Sequence, residues 1–588
     1  MSLTLRWASL ALVLASCHHP VNLEPSMTPP ASERFEELGQ SFLGTWLARN
    51  PVSATYLGDH RFDGQWPDVS LESEARELDW AREVQAELSS LDISALQPEQ
   101  RVDAAILGTQ LDSGVFDTQQ LRGWERNPLY AVYTVSSGLD GLVSREFAPV
   151  EQRMASLQAR LEALPAFLAQ AQGRLDAPPI VHTQTAIDQV AALVSWVDGP
   201  LRADFPEAQR AELELAADAA EQALRDYQAF LEQDLLPRSV PEFRIGRELW
   251  EQKLQYSLDT DLTAEQVLQR AWALLDSTTE QMAVDAATYH AELFPGEPVP
   301  QVTDSASRDA LIRRVLDRIA DEHADDDTII PQAQATLEAA TAFVAEHRLV
   351  TLPDEPVRVI VMPEFKRGVA IAYCDAPGPL EQSRETFYAI APPPLAWPPE
   401  RRESFYREYN QAMLYELTIH EAMPGHFLQL AHDARFDSPV RAVFSSGTFV
   451  EGWALYSEWM MAEQGFGGPA VRLQRQKMVL RLCLNAILDH GVHAGTMDHD
   501  QALALMMERG FQEEGEAEGK WKRAQLTSAQ LSTYLVGLLE VMAIRQAYEA
   551  RAGNDFDLLS FNDELLAHGS PPPRHLAGLL GLGPLHQD

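Results

Sequence analysis

At 588 residues, with 45% hydrophobic and 23% charged positions, the chain has the composition of a folded globular protein, which excludes the mainly disordered and fibrous classes. Its 46 Lys and Arg stand against 87 Asp and Glu, a formal charge of −41. A surface of that sign repels phosphate backbones and anionic headgroups, so nucleic acid is not an expected partner and most of the acids read as a solvated face.

The chain opens MSLTLRWASLALVLASC: a short segment carrying Arg6, then an apolar stretch from Trp7 to Ala15. That stretch is shorter than the roughly 20 apolar residues needed to span a bilayer. It ends Leu14-Ala15-Ser16-Cys17, which resembles the lipobox cut by lipoprotein signal peptidase. Residues 1–16 are therefore expected to be a signal peptide, and Cys17 the lipidated N-terminus of an exported bacterial lipoprotein facing the periplasm. Every later apolar run is interrupted by charges, so the lipid is the only expected membrane attachment. Cys374 and Cys483 then remain, too few for a disulfide framework.

Residues 17–33 are rich in Pro and polar side chains and read as a flexible tether, with a folded domain expected over 34–588. Beyond the tether the dominant pattern is amphipathic helix. It is clearest over 206–235, where Leu213, Ala216, Ala217, Ala220 and Leu224 fall near helical spacing. Thr263 followed by Gln266 reads as a capping box ahead of Val267, Leu268 and Ala271. Strand signals are few: VRVIVMP (357–363) and ETFYAIAPPP (385–394) are β-rich and bounded by breakers. From about 400 the pattern is helical again, with breaks near Asp437 to Pro439 and Gly465 to Pro469. The expected fold is mainly α, with a small β element. No repeat of fixed period and no Gly-rich phosphate loop is present.

The chemically loaded segment is ELTIHEAMPGHFLQLAH, with His420 and Glu421 adjacent and His426 following Pro424 and Gly425. In the H-E-x-x-H motif, histidines four apart share one helix face and one metal, and the Glu activates water. Here they are six apart. Six residues turn roughly 240° and rise about 9 Å, so an unbroken helix cannot present both rings to one ion. Pro424 cannot donate to the carbonyl of His420, and Gly425 tolerates unusual backbone angles, so a bulge is expected that restores convergence. A catalytic zinc commonly takes three protein ligands plus water. Glu451, early in the helical stretch SSGTFVEGWALYSE, is the choice for the third; Glu458, seven residues on, and Glu416, one turn before His420, are its rivals.

HEAMPGH followed by FVEGWALYSE resembles the bacterial family catalogued as domain of unknown function 885. Segments 50–68, 245–267, 489–503 and 527–537 also look like the signatures of that family, so the likeness spans nearly the whole mature chain. The chain departs from the family pattern between Cys374 and Arg384, and in having Thr527-Ser528 where Pro-Gly is common. The resemblance implies a large helical zincin-like fold with a cleft, and His420, Glu421, His426 and Glu451 as active-site positions. It implies hydrolysis of an amide bond in a peptide, with zinc as cofactor and Glu421 as general base. Tyr534 and His493 are the candidate oxyanion donors, although each could equally be a buried, satisfied side chain. In helical gluzincin peptidases a cleft-edge strand pairs with the substrate; ETFYAIA could take that part or be internal. The rival readings are a hydrolase of another amide or ester, and a lipoprotein that binds peptides or metal without turnover. An intact Glu421 argues against the second.

Overall fold

The amphipathic periodicity is realised as long helices in a computed structural model of the protein, which describes residues 30–362, 371–381, 385–395 and 397–585. The signal peptide, Cys17 and the tether up to residue 29 lie outside these residues. The first helix, α1 (Ala31–Arg49), starts at Ala31 rather than near Arg34. Its apolar stripe of Phe35, Leu38 and Phe42 is buried, which draws the end of the expected tether into the fold. Among the described residues no helix is long and apolar enough to cross a membrane.

In the N-terminal half, α2 (Val150–Arg174) and α3 (Arg210–Phe230) share one apolar core. The stripe expected on α3 is the buried one: Leu213, Ala216, Ala217, Ala220 and Leu224 all face that core. The helix α4 (Ala264–Leu293) starts at the expected capping box. Thr263 Oγ1 accepts from the Gln266 N–H at 3.2 Å, and Gln266 Oε1 accepts from the Thr263 N–H at 2.9 Å.

Three short strands form the β element: β1 (Val357–Val361), β2 (Ala372–Asp375) and β3 (Thr386–Ile390). Their order is β1-β3-β2, with β3 parallel to β1 and antiparallel to β2. Two of them answer to the β-rich segments. The strand of ETFYAIA is thus internal, with Tyr388, Ala389 and Ile390 fully buried, and both of its sides are taken by neighbours. It cannot be a substrate-pairing edge; the edges of the sheet are β1 and β2. At four residues β2 is too short to show an alternation.

The C-terminal half holds six helices that matter for the site: α5 (Gln411–Glu421), α6 (His426–Asp433), α7 (Gly447–Glu463), α8 (Gly468–His493), α9 (Glu514–Leu526) and α10 (Thr533–Ala552). The long helix α8 packs along α4 and is buried over most of its length, Leu480, Cys483 and Ile487 among its inward residues. The expected break at 465–469 is a run of glycines with positive φ, Gly465, Gly467 and Gly468, which reverses the chain between α7 and α8. The helices α7 and α10 cross at backbone contact. A Cβ on Gly452 would lie 2.5 Å from the Gly537 carbonyl oxygen, and one on Gly537 would meet the Thr448 carbonyl. This crossing brings the helices that carry Glu451 and Tyr534 together. Gly452→Ala is expected to cost about 1–3 kcal/mol by forcing the pair apart; an unchanged thermal unfolding midpoint would show that the crossing tolerates a methyl.

Candidate metal centre

The insertion between the histidines is resolved by a break rather than by a bulge inside one helix. Asn410 caps α5 through its side chain, accepting from the Met413 N–H at 3.2 Å, and the helix runs to Glu421. The Ala422 and Met423 N–H groups both donate to the Thr418 carbonyl at 3.0 Å. Pro424 has no N–H with which to continue the ladder, and a new helix, α6, begins at His426. The connection doubles back tightly: a Cβ on Gly425 would fall on the carbonyl oxygens of Ile419 and His420. Only glycine fits there. The Pro424 carbonyl accepts from Trp453 Nε1 at 2.9 Å and from Ser457 Oγ at 3.3 Å, which ties the connection to α7.

Two turns of chain are thereby bent onto one point. His420 and His426 meet edge to face with ring centroids 4.6 Å apart. Glu451 comes from α7, its Oε2 3.4 Å from His420 Nε2 and 3.8 Å from His426 Nε2. One ligand atom from each of the three residues lies within 4.8 Å of the others, and no second such group occurs among the described residues. Glu451 Oε2 is buried and has no hydrogen-bond partner, as a carboxylate oxygen reserved for a cation would be. The three side chains fit a zinc site in number and in donor chemistry.

The rival acids have other places. Glu458 Oε1 sits 2.7 Å from His420 Nδ1, so it holds the proton on Nδ1 and turns the Nε2 lone pair toward Glu451 and His426. Glu416 lies one turn below on α5, where burial first and then the Glu458 carboxylate hold its carboxyl well above the ordinary range. Burial opposes a charge on His420, but the carboxylates of Glu451 and Glu458 beside its two ring nitrogens outweigh it and raise its pKa well above the ordinary value. The pKa of His426 goes the other way, down to about 4, through burial and the adjacent His420. Burial likewise opposes charge on Glu451, yet the two imidazoles keep its carboxyl below the usual value.

Glu421 also reaches the sheet, where its Oε2 accepts from the Cys374 N–H of β2 at 2.9 Å. Burial, partly offset by His420, pushes its pKa up to about 7, suited to a group that takes and returns a proton near neutrality. His420 and Glu421 open on a cleft of about 650 Å³, lined also by Ala372 of β2 and by Tyr534. Tyr534 OH accepts from Arg523 at 3.4 Å, so its own hydrogen is free to point elsewhere. His493 is not among the residues that line this cleft. Its Nε2 lies 2.8 Å from both the Ala524 and the Thr527 carbonyl, and a ring N–H shared between two carbonyls has nothing left for an oxyanion. The expectation for His493 is corrected accordingly: it ties the end of α8 to α9.

Sequence reasoning passed over a cationic group at the same cleft, formed by Arg481 of α8 with Lys520 and Arg523 of α9. In EGEAEGKWKRAQL the residues Glu516, Lys520 and Arg523 stand at helical spacing on one face, the one signal that could have found them.

A profile of a bacterial protein family of unknown function, DUF885, matches residues 51–580. The chain belongs to this family. Over 93% of this chain and 99% of the other, it is similar at 31% identity and a TM-score of 0.78 to a solved structure from Shewanella oneidensis, described as a candidate lipoprotein of unknown function. A candidate lipoprotein from Colwellia psychrerythraea shares the fold at 17% identity and a TM-score of 0.75, over 94% of this chain and 98% of that one. No curated protein matches. The DUF885 profile runs from α1's neighbour at Pro51 to beyond α10, so the metal-ligand group, the sheet and the cleft all lie inside the family's common part.

Proposed function

We propose that this DUF885 protein is a zinc-dependent hydrolase of amide bonds, a peptidase, exported and held at a membrane by a lipid on Cys17. The observation that carries the catalytic reading is the convergence of His420, His426 and Glu451, with Glu421 beside them at the head of a cleft. A buried binding module needs the ligands but has no use for a carboxyl poised near neutrality. The anchor is supported by the Leu-Ala-Ser-Cys sequence ending at Cys17 and by the description of the two similar structures as candidate lipoproteins.

His420, His426 and Glu451 would hold the zinc. When bound, zinc supplies Lewis acidity and lowers the pKa of water toward about 7. Glu421 keeps one oxygen on the Cys374 N–H and presents the other to the attacking water, taking its proton and later passing it to the leaving amine. Tyr534, on the wall of the cleft, would donate to the oxygen of the attacked carbonyl. The strand β2, at one end of the sheet order, offers the backbone of Ala372 along the cleft wall, where an extended peptide can add as a further strand. The Cys374 N–H is already committed to Glu421, so pairing would run through the residues before it.

Purified protein is expected to carry about one equivalent of zinc and to cleave members of a peptide library, with the products identified by mass and the cleavage stopped by a chelator and restored by zinc. Cleavage that persists after the metal is gone would defeat the metal reading. Zinc-loaded protein that cleaves no peptide would defeat the peptidase reading.

A further inference from the structure

In a chain of net charge −41, one end of the catalytic cleft is cationic. Arg481, Lys520 and Arg523 all line it, together with Tyr534 and the metal-ligand His420. Their acidic partners are few. Glu516 is held by Arg481, and Glu408 bonds Lys477 at 2.9 Å and lies 3.8 Å from Arg481. Arg481 and Lys477 are thus matched by the two acids, and Lys520 and Arg523 are left in excess. Lys520 makes no hydrogen bond or ion pair among the described residues, and Arg523 reaches only Gln530 at 2.9 Å and Tyr534 at 3.4 Å, both neutral. Burial and the adjacent Arg481 and Arg523 push the Lys520 ammonium down to about 7, with Glu516 offsetting them only in part. The fold brings Arg523 near enough to Glu451 for its charge to favour that carboxylate. Little of the substrate therefore separates the two ends of the cleft. Apolar side chains, among them Phe405, Leu455 and Leu482, line the same cleft. An Arg and a Lys that make no ion pair of their own, on the wall of such a pocket, are suited to orienting an anionic group.

We propose that Lys520 and Arg523 bind a carboxylate of the substrate close to the scissile bond. The peptide's own C-terminal carboxylate meets that requirement, and the enzyme would then trim peptides from the C-terminus. An acidic side chain at the same distance presents the same chemistry. The proposal rests on the peptidase reading, and the experiment separates the two. Zinc-loaded protein is given three peptides of one sequence, each N-acetylated: one with a free C-terminal acid, one amidated, and one amidated with Asp or Glu at the last position. The acid is expected to be cleaved near its C-terminus with a kcat/KM at least about 10-fold above the amide, mostly through KM, as for a charged hydrogen-bonded contact. Lys520→Gln and Arg523→Gln should each shrink that ratio, whatever either variant does to cleavage of the amide itself. Recovery of cleavage in the acidic amide would assign the subsite to a side-chain carboxylate and would equally require both cations. Acid and amide cleaved alike, with ratios unmoved in either variant, would overturn the subsite and leave the peptidase standing. A second readout needs no turnover: calorimetric titration with the N-acetyl dipeptide acid and its amide should show the same preference in the wild type and its loss in the two variants. Absence of the preference in binding would also overturn the proposal, whereas no cleavage of any of the three peptides would count against the peptidase reading instead.

Discussion

Glu421→Gln is expected to lower peptide hydrolysis by at least about 100-fold while zinc stays bound and the fold is unchanged. The substitution keeps the shape of the side chain, and an amide oxygen can still accept from the Cys374 N–H as the carboxylate does at 2.9 Å. What it removes is the ability to take a proton. Burial raises that carboxyl to about 7, which suits the proposed proton transfer, and the amide has no equivalent. Parallel measurement of zinc content and of the unfolding midpoint keeps the result interpretable. Activity within a few-fold of the wild type, at full zinc content, would take Glu421 out of the reaction.

The second large effect is expected from His426→Ala. His426 opens α6 and is the proposed ligand that the break at Pro424 and Gly425 brings back to α5; removing it would leave His420 and Glu451, two protein ligands where a stable catalytic site commonly has three. The variant should lose its zinc on dialysis and its hydrolytic activity with it. Glu458→Gln provides the contrast. It leaves all three ligands and removes only the carboxylate 2.7 Å from His420 Nδ1, so a fall of about 10–100-fold in zinc affinity is expected rather than outright loss. Metal titration of the three proteins side by side gives the comparison. A full complement of zinc in His426→Ala would mean that the ligand group lies elsewhere, with Glu416 and Glu458 the first acids to test.

The sequence by itself determined the helical class, because the 3.6-residue stripe of Leu213, Ala216, Ala217, Ala220 and Leu224 and the pairing of Thr263 with Gln266 are local patterns that local chemistry satisfies. It also placed two candidate ligands and the candidate base, since His420, Glu421 and His426 sit within seven residues and the geometry of a helix alone shows that the segment between the histidines must be interrupted. The form of that interruption was not local. Whether the chain bulges or breaks depends on where the Pro424 carbonyl finds its partners, and those are Trp453 and Ser457 on another helix. Glu451 was chosen over Glu416 and Glu458 from the sequence, but spacing alone did not separate them, because all three stand at helical spacing from something in the site and only the crossing of α5 with α7 sends one to the histidine Nε2 atoms and another to Nδ1. Tyr534 and His493 show the same limit from the other side. Both lie in segments with the right look, but only the packed structure puts one on the cleft and ties the other to two carbonyls. The internal place of β3 and the edge place of β2 are pairings between residues far apart in the chain, and the meeting of Lys520 and Arg523 with His420 on one cleft is another such long-range contact; these are made by tertiary packing rather than by any window of sequence.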